Sequence, residues 1–194
     1  MSVEQIIWMS AGACGLGPLR SDLAEQYWRW EEDPSSLIGF GRPVPESLPS
    51  RTQGLQQQLA GRNIRFTVYD LADAENPVPV GMTTLQPDTY ARSAEYILVI
   101  APEARGKGLA APATRLTLDF GFHVANLRSV WLKVLAPNEA AVHVYEKAGF
   151  KHVGAMREAG YWQGAVCDEL IMDALASEFG GPSVLGPTGG VSGP

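Results

Sequence analysis

Ile100-Ala101-Pro102-Glu103-Ala104-Arg105-Gly106-Lys107-Gly108-Leu109-Ala110 is the stretch whose reading decides the fold. An apolar, β-prone run, Tyr96-Ile97-Leu98-Val99-Ile100, leads into it. Leu109, Ala113, Leu116 and Phe120 follow as the apolar stripe of a helix. A glycine-rich turn between strand and helix leaves backbone N–H groups free at a helix N-terminus, which suits a phosphate. Gly106 and Gly108 leave room for an anion, and Arg105 and Lys107 add positive charge. Pro112 is tolerated only in the first helical turn, so the helix is expected to begin near Gly108 or Leu109. The amides from Gly106 to Ala111 are then free to meet a ligand. The G-x-G-x-x-G dinucleotide pattern fails, because Ala111 stands at its third glycine. No G-x-x-x-x-G-K-[ST] occurs either. On this stretch alone, a plain βα turn with exposed basic residues stays open.

Pro137-Asn138-Glu139-Ala140-Ala141-Val142-His143-Val144-Tyr145-Glu146-Lys147-Ala148-Gly149-Phe150 reads as one short helix. Asn138 is its candidate N-cap and Gly149 its stop. Ala140, Val144 and Ala148 form a core-facing stripe. Asn138, Ala141, Val142 and Tyr145 share a second face. There, small Ala141 leaves room for a ligand chain between a polar amide and a phenol.

Arg105, Gly108 and Ala110 form the pattern Arg-x-x-Gly-x-Ala, which resembles the coenzyme A signature of the GNAT superfamily of N-acetyltransferases. Asn138 with the run Val144 to Phe150 resembles that family's second hallmark, and so does Ala94-Glu95-Tyr96-Ile97. The RimJ/RimL-like branch, with its spermidine N-acetyltransferases, is the nearest in pattern. The resemblance spans residues 19–174 and is specific over 94–150. It implies an α+β GNAT fold, a central twisted mixed sheet of about seven strands flanked by about four helices. It further implies acetyl-CoA as cosubstrate, with no metal. The implied activity moves its acetyl group to a primary amine of a polyamine, an amino sugar, a small metabolite or a peptide N-terminus. A non-catalytic acyl-CoA-binding module and an acyltransferase for longer acyl chains are the alternatives. Pro112 departs from the family pattern within the pyrophosphate helix.

The 194 residues suit one domain, expected over 1–179, followed by a Gly/Pro-rich tail over 180–194. A net charge of −6 argues against bulk nucleic-acid binding and is compatible with a cationic acceptor. Cys14 and Cys167 are too few for a disulfide scaffold and lack metal-ligand spacing, so both are expected to be reduced, in a cytoplasmic protein. No run approaches membrane-spanning length. A homodimer is compatible with these features.

Strands are expected over 4–10, 65–69, 79–85, 95–100, 130–135, 150–156 and 166–172. Helices are expected over 21–32, capped by Ser21, and over 47–60, with a break at Asp33-Pro34-Ser35-Ser36.

Acyl transfer to an amine needs a neutral nucleophile, a stabilised oxyanion, a stabilised leaving thiolate and alignment. The resemblance assigns cofactor contacts to Leu98, Val99 and Ile100 at the strand end, with backbone N–H groups near Val99 and Ile100 facing the thioester. It assigns further contacts to Arg105, Gly106, Lys107, Gly108, Leu109, Ala110, Asn138 and Ala141. Asn138 has a second reading as a pure helix cap. Tyr145 matches the proposed general acid of the family; packing against Trp131 or Phe150 is its plain alternative. Glu95 is the best candidate base, directly or through water; a solvated strand-edge carboxylate is the other reading. His143 is expected to face solvent and His123 to sit at a helix end. For the acceptor, Glu31, Glu32 and Asp33 would seat a cation, with Tyr161 and Trp162 as pocket walls between the last strands.

Overall fold

The computed structural model describes residues 6–180. Eight strands form one sheet: β1 (Met9–Ala11), β2 (Cys14–Pro18), β3 (Ile64–Asp70), β4 (Val78–Asp88), β5 (Ser93–Ile100), β6 (Ser129–Leu135), β7 (Lys151–Trp162) and β8 (Ala165–Leu175). Their order is β1-β2-β3-β4-β5-β6-β8-β7. All neighbours are antiparallel except β5 and β6. Five helices accompany them: α1 (Ala24–Glu31), α2 (Pro34–Gly39), α3 (Leu48–Ala60), α4 (Ala110–His123) and α5 (Glu139–Ala148). The class is α+β as expected, with one more strand and one more helix than the sequence suggests. The tail lies outside the described residues apart from Gly180.

Three local expectations change. Ser21 opens a 3₁₀ turn, Ser21–Leu23, and caps nothing with its side chain. The break at 33–36 is in fact a helix start. Asp33 accepts from the Ser35 amide at 3.0 Å and Pro34 takes the first helical position, so α2 begins there. The first strand is Met9–Ala11, and residues 4–5 of the expected one lie outside the described residues. β2, which the sequence hid, pairs with β3 from Cys14↔Asp70 to Pro18↔Phe66. Gly17 is needed there because a Cβ would meet the Ile6 carbonyl oxygen at 2.1 Å.

Two buried clusters stabilise the domain by removing apolar surface from water, about 25 cal/mol per Å². One gathers Leu16, Tyr27, Leu55, Phe66, Val68, Val99 and Leu116. The other gathers Leu85, Tyr96, Leu118, Val130, Leu132, Phe150 and Met172. They meet along β5 and α4, whose residues belong to both. That meeting line is also where the sheet opens.

Candidate active site

β5 and β6 pair only at Ser93↔Ser129, Ala94↔Val130 and Glu95↔Trp131. Beyond Glu95 the strands part: β5 keeps β4 up to Gly81↔Ile100, and β6 keeps β8 up to Leu135↔Glu169. A cleft of about 600 Å³ enters this V. Leu98, Val99 and Ile100 line one side, Lys133 and Val134 the other. Antiparallel pairing alternates which backbone groups face the partner. The Ala101 amide donates to the Val80 carbonyl at 2.8 Å, on the β4 side. The amides of Ile100 and Leu98 therefore face the gap, and that of Val99 faces β4. This corrects the expectation for Val99, which contributes surface and not a free N–H.

Past β5 a 3₁₀ turn, Pro102–Ala104, leads to Arg105 and the glycines. Gly106 and Gly108 both have φ +77°, a left-handed conformation that side chains disfavour, and a Cβ at either would point into open space. Helix α4 starts one residue after Leu109, with Pro112 in its first turn. The Ala113 amide is the first to find an intrahelical acceptor, Leu109, at 3.0 Å. Among the described residues, no amide from Gly106 to Ala111 donates to a protein acceptor. Gly106, Gly108, Leu109, Ala110 and Ala111 all line the cleft. This row of orphan donors fits the diphosphate of a coenzyme A.

The two cations of the loop serve otherwise than expected. Lys107 is absent from the cleft lining, and its Nζ lies 4.0 Å from Asp70. Arg105 lines the cleft, but its Nε donates to the Ile100 carbonyl at 3.2 Å and its Nη2 to the Ser36 hydroxyl at 2.7 Å. Its Nη1 donates to the Ser35 hydroxyl and lies 3.8 Å from Asp33. Arg105 thus fastens α2 to the loop. Ser35, Ser36 and Phe40 line the cleft from that side. Their role escaped the sequence reading because only Arg105, some 70 residues away, draws them in.

Helix α5 forms the far wall. Asn138 Oδ1 accepts from the Ala141 amide at 3.3 Å, so Asn138 is the cap. Both residues also line the cleft. Cap and cleft roles therefore coexist, because the amide's Nδ2 is not used by the cap. Tyr145 reaches the cleft and is only 9% exposed. Its ring meets Tyr96 edge-on at 6.2 Å and Phe150 at 5.9 Å. Burial pushes its hydroxyl up to about 12, so it stays protonated at working pH. His143 is exposed as expected, yet it edges the cleft. His123 bonds Asp119 at 2.6 Å at the end of α4.

Glu95 sits where the strands still pair, opposite Gln86 and Trp131. It lines neither cavity and lies about 13 Å along the strand from Val99. Its side chain shares the β5 face of Ile97 and Val99 and stands across from Gln86, at the edge of the cavity those three residues line. The three expected acceptor acids do not converge. Glu31 pairs with Arg51 and faces a second cavity. Glu32 accepts from Arg42 at 3.0 Å and from the Glu46 amide at 2.8 Å. Asp33 caps α2, and that bonding to Ser35 holds its carboxyl below the usual range. Tyr161 and Trp162 lie within β7, not in a loop, because the hairpin turn falls at Gln163 and Gly164, with φ 50° and 86°. Trp162 lines the cleft; Tyr161 is 67% exposed and does not.

A sequence model of the acetyltransferase (GNAT) domain family matches residues 15–151. The chain belongs to that family. This GNAT domain is 39% identical to the spermidine N(1)-acetyltransferase of Vibrio cholerae over 88 residues, 45% of this chain and 51% of that protein. It is 42% identical to the spermidine N(1)-acetyltransferase of Escherichia coli over 88 residues, 45% of this chain and 47% of that protein. The aligned region spans about half the length of these curated relatives. The solved V. cholerae spermidine N-acetyltransferase, in complex with CoA and spermine, superposes with a TM-score of 0.78 at 27% identity, covering 87% of this chain and 99% of that one.

Proposed function

We propose that this GNAT domain is an N-acetyltransferase that moves the acetyl group of acetyl-CoA to a primary amine, by direct attack in a ternary complex. The observation that carries this is the strand opening, with the Leu98 and Ile100 amides turned into a cleft that Tyr145 enters from the opposite wall. The CoA named in the V. cholerae complex and the acetyltransferase names of the relatives point the same way.

Acetyl-CoA supplies an acetyl group already activated as a thioester. The amides from Gly106 to Ala111 hold its diphosphate, and Asn138 Nδ2 and Ala141 receive the arm. The Leu98 and Ile100 amides bond the carbonyl oxygen more strongly as it gains negative charge, which is where such donors accelerate a reaction. The C–N bond forms as the C–S bond breaks; the nitrogen loses one proton and the sulfur gains one. Tyr145, at about 12, is a weaker acid than an alkyl thiol near 8.5. Full proton transfer from it to a thiolate is uphill by about 5 kcal/mol. Its role is a hydrogen bond to the leaving sulfur, with the final proton drawn from water. Glu95 takes the proton of the amine, directly or through water.

The test is free-thiol release from acetyl-CoA with polyamines, aminoglycosides, amino acids and short peptides. Amine-dependent release with mass-detected N-acetyl product is the expected result. CoA binding without release for any amine overturns the catalytic reading.

A further inference from the structure

The chain carries 21 aspartates and glutamates and a net charge of −6, yet among the described residues no carboxylate lines the cleft. Its charged lining consists of Arg105, Lys133 and Lys147, joined by His143. So one-sided a lining in an acidic protein favours an anionic ligand. Coenzyme A brings two anionic groups to it. The diphosphate takes the amide row from Gly106 to Ala111. The other is the 3′-phosphate of the ribose, a dianion beyond the diphosphate, and the amide row leaves it without a partner.

The cation that meets it follows from what each already holds. Arg105 is bound to the Ile100 carbonyl and the Ser36 hydroxyl. Lys107 lies outside the lining, 4.0 Å from Asp70. Lys133 Nζ lies 3.5 Å from Glu169. Lys147 makes no ion pair among the described residues.

His143 and Lys147 stand one turn apart on α5, so they share a flank, with about 5–6 Å between their β-carbons. A helical side chain leans toward the N-terminus of its helix, which carries the Lys147 ammonium back over His143. Both residues are exposed and line the cleft, so they form its rim. Ala140 and Val144 continue this wall inward to Asn138 and Ala141, where the arm is received. The acids of the same helix lie off the wall. Glu146 bonds His152 at 3.0 Å, and Glu139, one turn before His143, does not line the cleft.

We infer that Lys147, with His143, is a second anion site of the cleft, which takes the 3′-phosphate and makes this protein select CoA over its dephosphorylated form. This rests on the acetyl-CoA reading and adds a cofactor-specificity site to it.

Calorimetry on the full chain compares CoA with 3′-dephospho-CoA, which keeps the diphosphate and the arm and lacks only the third phosphate. At low salt the wild-type protein should bind CoA about tenfold more tightly, the worth of one charge-assisted hydrogen bond. The gap should narrow as salt rises, because both side chains are exposed. Lys147→Gln should bring the ratio near one while affinity for 3′-dephospho-CoA holds. Lys147→Arg should keep the ratio, and His143→Gln should lower it in part. Lys147 also stands in the last turn of α5, where a cation steadies the helix end. A role confined to that end weakens both ligands alike and leaves the ratio unchanged. An unchanged ratio in Lys147→Gln, or equal affinity of the two ligands in the wild type, overturns the inference while CoA binding stands. A ratio that collapses in Lys107→Gln but not in Lys147→Gln places the phosphate at the glycine loop and overturns it too. Binding of neither ligand removes the acetyl-CoA reading and the inference together.

Discussion

Arg105 Nη2 donates to the Ser36 hydroxyl at 2.7 Å across 69 residues of chain, which makes a cofactor-loop arginine the anchor of helix α2. The same side chain holds the Ile100 carbonyl at 3.2 Å. Arg105→Ala should therefore do two things at once. Amide hydrogen exchange over Pro34–Gly39 should rise, and CoA affinity should fall by about tenfold, the worth of one or two charge-assisted bonds. Loss of CoA affinity with unchanged exchange in α2 would show that Arg105 serves the phosphates alone.

At Gly108 two effects are separable. Its φ of +77° makes any side chain strained, by roughly 1–2 kcal/mol. Gly108→Ala carries the strain alone, so stability drops by about that amount and CoA binding weakens modestly. Gly108→Glu adds a negative charge beside the amide row and should abolish CoA binding in calorimetry. Equal CoA affinity in both variants would remove the loop from the phosphate site.

Tyr145→Phe keeps the ring between Tyr96 and Phe150 and removes the hydroxyl. A donor whose pKa sits near 12 works through a hydrogen bond, so kcat should fall near the lower end of the usual acid-catalysis range, about 10²-fold. KM for acetyl-CoA should hardly move. Glu95→Gln should cost less than Tyr145→Phe, and more alkaline buffer should erase part of the loss, because solution then supplies neutral amine. A larger loss for Glu95→Gln than for Tyr145→Phe would reverse the two roles.

Alkaline pH should weaken the fold. Burial raises Cys14 from 9.0 to about 12, and Tyr27 and Tyr145 from 10.0 to about 12. Each folded-state value lies above the unfolded one, so the unfolded chain gives up these protons first. Their contribution is complete below pH 9.0 and is lost as pH climbs toward about 12. Each tyrosine accounts for on the order of 3 kcal/mol over that range. Urea midpoints measured from neutral pH upward should decline from pH 9.0, less steeply in Tyr145→Phe. Identical slopes in the two proteins would contradict the burial argument.

The central strand, the glycine loop and helices α4 and α5 were legible because their signals are local. Periodicity, φ-demanding glycines and the Asn138 cap lie within a few residues of what they determine. β2 was not legible, because Gly15 and Gly17 are set by Leu71 and Ile6 pressing on them from elsewhere in the chain. Asp33-Pro34-Ser35-Ser36 writes a break and a helix start with the same letters, and only α2's docking on Arg105 separates the two. The acid cluster misled for a similar reason. The partners of Glu31 and Glu32, Arg51 and Arg42, are brought in by the fold, not by sequence spacing.

Three residue pairs join β5 to β6, and nothing of the ladder joins them beyond Glu95. The sheet is a hinge fastened at one end. Whatever lies between the open ends supplies contacts to both halves, so affinity for the ligand and cohesion of the fold are one thermodynamic quantity. A ligand at 100 times its Kd adds about 2.7 kcal/mol to the folded state. Here that increment acts on two strands held by three residue pairs, while one buried cluster, with Leu85 and Tyr96 on one side and Val130 and Met172 on the other, spans the joint.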